Sequence, residues 1–213
     1  MRLCFITNRR LYAGDDRVAL DLLLAAIAAA ANAGVDLIQI RERDLNDRQL
    51  LRLVDAALGR CSGTATRVLV NDRADIAIAA GAHGVHLRGD SFAAPRVRAL
   101  APSMIIGRSV HTITEAVAAE TEGGCDYLIA GTVFATPSKP HSHPLLGIDG
   151  LRRLCAAVNL PVFAVGGMTI GCAAEVADAG ATGIAGMRLF ADSSKVADTV
   201  AALRAADHAD DAE

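Results

Sequence analysis

Asn32-Ala33-Gly34-Val35-Asp36-Leu37-Ile38 joins the end of a small-residue helical run to a glycine and then to an apolar strand. The same design returns at Ala80-Gly81-Ala82-His83-Gly84-Val85-His86-Leu87, at Gly123-Gly124-Cys125-Asp126-Tyr127-Leu128-Ile129 and at Ala179-Gly180-Ala181-Thr182-Gly183-Ile184-Ala185. Glycine suits the residue just past a helix because the left-handed conformation required there costs it nothing. Four helix-to-strand returns of one design indicate repeated βα units.

Outward from these returns, short apolar runs stand at 3–7, 35–40, 68–71, 85–87, 104–109, 127–131, 162–166 and 184–187. Helical periodicity separates them, as over 17–33, 48–58, 114–122, 151–158 and 172–179, and a last helix over 194–206 closes the series. Eight strands alternating with eight helices predict a single-domain (β/α)8 TIM barrel over 1–206, with an Ala/Asp/Glu-rich tail frayed over 207–213. Periodicity does not reveal closure, so an open doubly wound sheet is the alternative. Against it, no Gly-x-Gly-x-x-Gly turn follows the first strand.

With 52% hydrophobic residues in 213, the chain has material for a substantial core. Aromatics make up only 3%, with no Trp, which predicts an aliphatic core. A net charge of −3 with scattered Lys and Arg gives no basic face, so no nucleic-acid partner is expected. The first residues lead straight into a strand-like run, and the longest apolar helical stretch, 20–33, is broken by Asp21 and too short to cross a bilayer. No membrane partner and a cytoplasmic location are therefore expected. Five cysteines without a Cys-x-x-Cys pair read as reduced, mostly buried thiols. Apolar outer helices would suit a homo-oligomer.

A barrel of this kind keeps its chemistry at the carboxyl ends of its strands. After strand two, alternation puts Gln39, Arg41 and Arg43 on one side and Ile40 on the other. Two guanidiniums facing a barrel mouth call for an anion; the plain alternative is that Glu42 and Asp44 neutralise them. Asn71-Asp72-Arg73 follows strand three, where Asp72 is either a Mg²⁺ ligand or an N-cap for the next helix. Strand four ends His86-Leu87-Arg88-Gly89-Asp90-Ser91, and His83 and His86 have weaker claims to chemistry than the next histidine. Ser109-Val110-His111 ends strand five, with His111 the best acid/base candidate because imidazole titrates near neutral pH.

The long loop after strand six carries Thr136, Ser138 and Lys139, two hydroxyl donors and a point charge suited to phosphate; its His141 and His143 lack a third metal ligand. Gly166 and Gly167 after strand seven, with Gly186-Met187 at strand eight, let backbone N–H groups approach an anion where many barrels bind phosphate. These strand ends predict a phosphorylated small-molecule ligand.

Taken together, Ile6-Thr7, Gln39-Ile40-Arg41-Glu42, Val70-Asn71-Asp72-Arg73, Gly84-Val85-His86-Leu87, Ile106-Gly107-Arg108-Ser109-Val110-His111, Thr136-Pro137-Ser138-Lys139-Pro140 and Val165-Gly166-Gly167-Met168-Thr169 resemble the thiamine phosphate synthase / TenI family over nearly the whole chain. For the synthase branch, the resemblance implies a transferase joining an aminopyrimidine diphosphate to a thiazole phosphate, with Mg²⁺ held by two aspartates. The first matches Asp72; the second position is Ser91, one residue from Asp90. The family's Gln-x-Arg-x-Lys ends in Arg43, and a serine expected near the end of strand eight is Arg188.

For the TenI branch it implies a thiazole tautomerase, an isomerase that aromatises a thiazole carboxylate phosphate without a cofactor, His111 moving the proton. Arg41-Glu42-Arg43 and Gly107 to His111 resemble that branch, whereas Asn71-Asp72 and Thr136 to Pro140 resemble the synthase. The missing second carboxylate tips the expectation to the tautomerase, with the synthase as the alternative. A non-catalytic binder of thiazole or thiamine phosphates, acting as a regulator, is the third reading.

Overall fold

The computed structural model describes residues 1–137, 139–140 and 142–206. The tail 207–213 and Ser138 and His141, all named above, lie outside the described residues. Strands β1 (Arg2–Ile6), β2 (Leu37–Ile40), β3 (Arg67–Asn71), β4 (Gly84–Leu87), β5 (Ile105–Val110), β6 (Tyr127–Gly131), β7 (Val162–Val165) and β8 (Gly183–Gly186) pair in parallel, each with the next. β8 returns to β1 through Ile184 opposite Leu3 and Ala185 opposite Cys4, so the sheet is a closed barrel rather than an open one.

Around it run α1 (Asp16–Asn32), α2 (Asp47–Cys61), α3 (Ala74–Ala79), α4 (Ala94–Leu100), α5 (Ile113–Glu122), α6 (Gly147–Ala156), α7 (Ala173–Asp178) and α8 (Val196–Ala206). Gly34, Gly81, Gly123 and Gly180, the glycines of the four recurring returns, all have positive φ, between 64° and 88°. A side chain at those positions would be strained, and this is why the pattern is so regular. Asp15 caps α1 and Asn46 forms a capping box with Gln49 at α2, which sets where each helix leaves its loop.

Two cores result, one on each side of the sheet. Leu3, Phe5, Ile38, Ile40, Val68, Val70, Val85, Ile106, Leu128, Ala164 and Ile184 point outward under the helices, where Leu23, Ile27, Val54, Leu154 and Val176 meet them. Cys4, Ile6, Leu37, Leu69, Tyr127, Ile129, Phe163 and Ala185 fill the inside. The interior is not purely aliphatic as composition suggested: Tyr127 and Phe163 pack edge to face with centroids 5.3 Å apart. Glycines make room for them. A Cβ at Gly183 would stand 2.6 Å from the Phe163 ring, and one at Gly107 would overlap the Tyr127 ring. All five cysteines are free, with Cys4 and Cys61 buried and the other three partly exposed. No helix among the described residues is long and apolar enough to cross a membrane.

Candidate active site at the carboxyl mouth of the barrel

The inward side of the strands changes from apolar to polar over its last residue or two. Gln39 on β2 and Asn71 on β3 meet at the mouth, Gln39 Nε2 donating to Asn71 Oδ1 at 2.9 Å. Gln39 is 2% exposed, and its Oε1 is buried with no hydrogen-bond partner among the described residues. A buried acceptor left open at a barrel mouth is suited to a ligand's N–H or O–H. Below it, His86 on β4 stands between Tyr127 on β6 and Ser109 on β5.

Just past β2 the acidic residues make their hydrogen bonds and close ion pairs to Thr7, Arg9 and Arg10 rather than to Arg41 and Arg43, although the charge of Glu42 still acts on Arg41. Glu42 accepts from the Thr7 hydroxyl at 2.8 Å, from the Arg9 backbone N–H at 3.1 Å and from Arg9 Nη1 at 3.2 Å. Asp44 accepts from Arg9 Nη1 at 2.5 Å and from Arg10 Nη2. The two guanidiniums hold the Asp44 carboxyl well below the usual carboxylate range. Thr7 Oγ1 in turn accepts from the Arg41 backbone N–H at 2.8 Å, which ties the loop carrying the arginines to the end of β1. Among the described residues neither Arg41 nor Arg43 has an ion-pair partner. Burial lowers the Arg41 pKa, and the positive charges of Arg43 and Arg88 add to that shift. Such a cluster is stabilised by a bound anion.

Asp72 adopts a left-handed backbone, φ 62°, rare for a non-glycine residue and concentrated at functional positions. It is not an N-cap: α3 begins without a side-chain cap. Its carboxylate accepts a hydrogen bond from Ser91 Oγ and lies 3.5 Å from Arg88 Nη1, while Arg88 also pairs with Asp90 at 2.5 Å. Ser91 is held in place by accepting from the Arg88 backbone N–H at 2.9 Å. Arg108 steadies this loop from outside the barrel by donating to the carbonyls of Gly89 and Phe92.

His111 follows β5 on the inward parity of Ser109. Its Nδ1 lies 2.5 Å from the Gly131 carbonyl oxygen. A carbonyl only accepts, so Nδ1 carries a hydrogen in this contact, and among the described residues Nε2 has no hydrogen-bond partner.

The loop after β6 folds against β7, Val133 donating to Val165 and Phe134 to Gly166. Gly166 and Gly167 have φ of 101° and 67°, and a Cβ at Gly167 would stand 2.6 Å from Phe134 Cβ. Close packing of this loop therefore demands glycine there, in addition to any anion. Thr136 and the exposed Lys139 lie on the loop, linked by a backbone hydrogen bond of 3.1 Å. Past Gly186 and Met187, the chain makes a 3₁₀ turn at Arg188–Phe190. Arg188 itself lines a cleft of about 380 Å³ with Leu11, Tyr12, Leu22, Ala191, Asp192 and Ser193.

Sequence reasoning gave no role to the side chains of Thr7, Arg9, Arg88 and Tyr127, and did not foresee that His86 bridges Tyr127 and Ser109. The paired arginines directly after β1 were the available signal for Arg9, and the inward parity of β6 for Tyr127.

Among the described residues no group of three or more His, Cys, Asp and Glu could hold a metal. Asp72 and Ser91 nonetheless offer a carboxylate and a hydroxyl side by side. That all-oxygen pair is of the kind Mg²⁺ uses with phosphates and water, and Arg88, 3.5 Å from the same carboxylate, would have to give way to the cation.

A closed barrel with arginines and polar strand ends gathered at its carboxyl mouth has the layout of a small-molecule enzyme. Residues 3–190 match the model of the thiamine monophosphate synthase family. The chain belongs to this family and is an enzyme of thiamine biosynthesis. It is 39% identical to a thiamine-phosphate synthase of Roseiflexus castenholzii over 181 residues, 84% of this chain and 76% of the relative. It is 35% identical over 189 residues to a putative thiamine-phosphate synthase 2 of Aquifex aeolicus, covering 89% and 97%. A solved thiamine phosphate pyrophosphorylase of Pyrococcus furiosus superposes with a TM-score of 0.82 at 30% identity, over 97% of this chain and 95% of that one. These names side with the transferase rather than with the tautomerase that Ser91 suggested.

Proposed function

We propose that the protein is a thiamine-phosphate synthase, joining an aminopyrimidine diphosphate to a thiazole phosphate with release of diphosphate. The observation that carries this reading is the diversion of Glu42 and Asp44 to Arg9 and Arg10, which leaves Arg41 and Arg43 at the mouth without a close ion-pair partner among the described residues. Those two guanidiniums and Lys139 would offset the charge that builds on a departing diphosphate. Gln39, Asn71 and Ser109 form a polar wall for the heterocycles, and Gly166, Gly167, Gly186 and Met187 offer backbone donors to the thiazole phosphate, with Thr136 and Ser138 adding hydroxyls. Mg²⁺, when held by Asp72 and Ser91, would supply positive charge to the diphosphate oxygens. Names of relatives along most of the chain support the same reading.

One observation favours a second reading, the tautomerase. Ser91 stands where a second carboxylate would be expected, and the Nε2 of His111 has no hydrogen-bond partner among the described residues. One assay separates the two: the purified protein is given both thiamine precursors, with and without chelator, and separately the thiazole carboxylate phosphate. Chelator-sensitive diphosphate release establishes the synthase. Aromatisation without diphosphate release, abolished by His111→Ala, establishes the tautomerase instead.

A further inference from the structure

Tyr127, at the start of β6, is 3% exposed and its hydroxyl lies 3.0 Å from His86 Nδ1. His86 is 1% exposed, and its Nε2 lies 2.8 Å from Ser109 Oγ. Gly107, opposite both His86 and Tyr127 in the sheet, makes this possible, because a Cβ there would occupy the space of the tyrosine ring. Ser109 is the one member of the row that is partly exposed.

Counting hydrogens fixes the direction of the row. Among the described residues the Tyr127 hydroxyl bonds only to His86. If it accepted there, its own O–H would be buried without an acceptor, which native interiors avoid. Tyr127 therefore donates to Nδ1. A ring nitrogen that accepts carries no hydrogen, so the imidazole is neutral and its single hydrogen is on Nε2. Nε2 donates to Ser109 Oγ, and the hydrogen of Ser109 remains for whatever occupies the mouth.

We propose that Tyr127 and His86 are positioning residues that hold Ser109 as a hydrogen-bond donor, so that the site selects a bound group presenting an acceptor oxygen or ring nitrogen at this point. An N–H or O–H placed there could reach only the second lone pair of Ser109 Oγ and would leave the Ser109 hydrogen without an acceptor. The proposal rests on the mouth being the substrate site, as in the proposed function, but not on which of the two reactions occurs.

Histidine-labelled protein tests it by ¹⁵N NMR at neutral pH, the His86 signals being assigned by their loss in His86→Gln. The expected result is a bare Nδ1 and a protonated Nε2. The opposite tautomer, or an imidazolium, overturns the proposal, and this measurement is made on the wild-type protein without turnover. A double-mutant cycle then reads function. Ser109→Ala lowers kcat/KM for diphosphate release on the order of tenfold, Tyr127→Phe lowers it less, and Tyr127→Phe adds nothing once Ser109 is alanine. Additive losses would show that Tyr127 acts apart from Ser109 and refute the relay. If wild-type protein releases no diphosphate, the same cycle is read on the Kd of each precursor, so failure of the synthase assignment is separable from failure of the relay.

Discussion

Glu42 follows Arg41 in the chain, yet its carboxylate lies 3.2 Å from Arg9 Nη1, with both partners 2% exposed. Residues 33 apart are thus joined across β1 and β2, and the join takes an acid away from the arginines beside it. Removing one member of a buried pair leaves the other charge uncompensated, at about 3–5 kcal/mol. Glu42→Ala is expected to lose stability in urea unfolding, by up to about 3 kcal/mol. Arg9 keeps Asp44, so the loss falls short of a fully orphaned charge. Unchanged stability would mean that the pair does not anchor the loop.

Arg41 and Arg43 set the second expectation. Each should bind diphosphate by charge-assisted hydrogen bonds, so Arg41→Ala and Arg43→Ala should each raise the Kd for inorganic diphosphate on the order of tenfold. Arg41→Lys should restore charge but not the planar fork, and so recover only part of the affinity. Calorimetry at two salt concentrations checks both, since a charge-driven site also weakens as salt rises. Wild-type affinity in the alanine variants would remove these arginines from the anion site.

What could be read from the sequence divides along physical lines. The eight strands and their parallel order were legible because each glycine of the repeated return needs positive φ, and because buried strands are continuously apolar. Periodicity did not single out the short helices α3 and α4, with 6 and 7 residues, although it did register the equally short α7. The polar strand ends stood out, Gln39, Arg41, Asn71, Ser109 and His111 among them. What partners these side chains have did not. Glu42 and Arg9, Asp72 and Ser91, and His86 and Tyr127 are contacts between separate strands or their loops, and only barrel closure and register bring each pair together. Tyr127 looked like one more apolar strand residue because its inward direction is a matter of parity in the closed sheet.

Ser91 sets the third expectation. It gives Asp72 a hydroxyl where a carboxylate would add charge to a cation site, and ligand charge is a main determinant of such affinity. Ser91→Asp should tighten Mg²⁺ binding, and Asp72→Asn should weaken it. Calorimetric titration of the protein with Mg²⁺ alone reads both without relying on turnover. Equal affinity in all three proteins would show that Asp72 and Ser91 do not hold the cation.

The last expectation concerns acid. Burial, with Arg41 adding to it, lowers the His86 pKa from 6.5 to about 3. Because the folded value lies below the unfolded one, the unfolded chain binds this proton first as pH falls. Neutral His86 therefore contributes its full stability above about pH 6.5, and that contribution is lost progressively as pH falls toward about 3. One proton limits the slope to about 1.4 kcal/mol per pH unit. Asp44 and Asp75, held below the usual carboxylate range by arginines, lose stabilisation in the same direction, so the wild-type slope alone does not isolate the histidine. His86→Gln removes only the imidazole term. Between about pH 6.5 and pH 5, above the range where these carboxylates titrate, the variant's unfolding free energy should change less steeply than that of the wild type. Equal slopes would mean that His86 takes up its proton as readily in the folded protein as in the unfolded chain, and that burial does not hold it neutral.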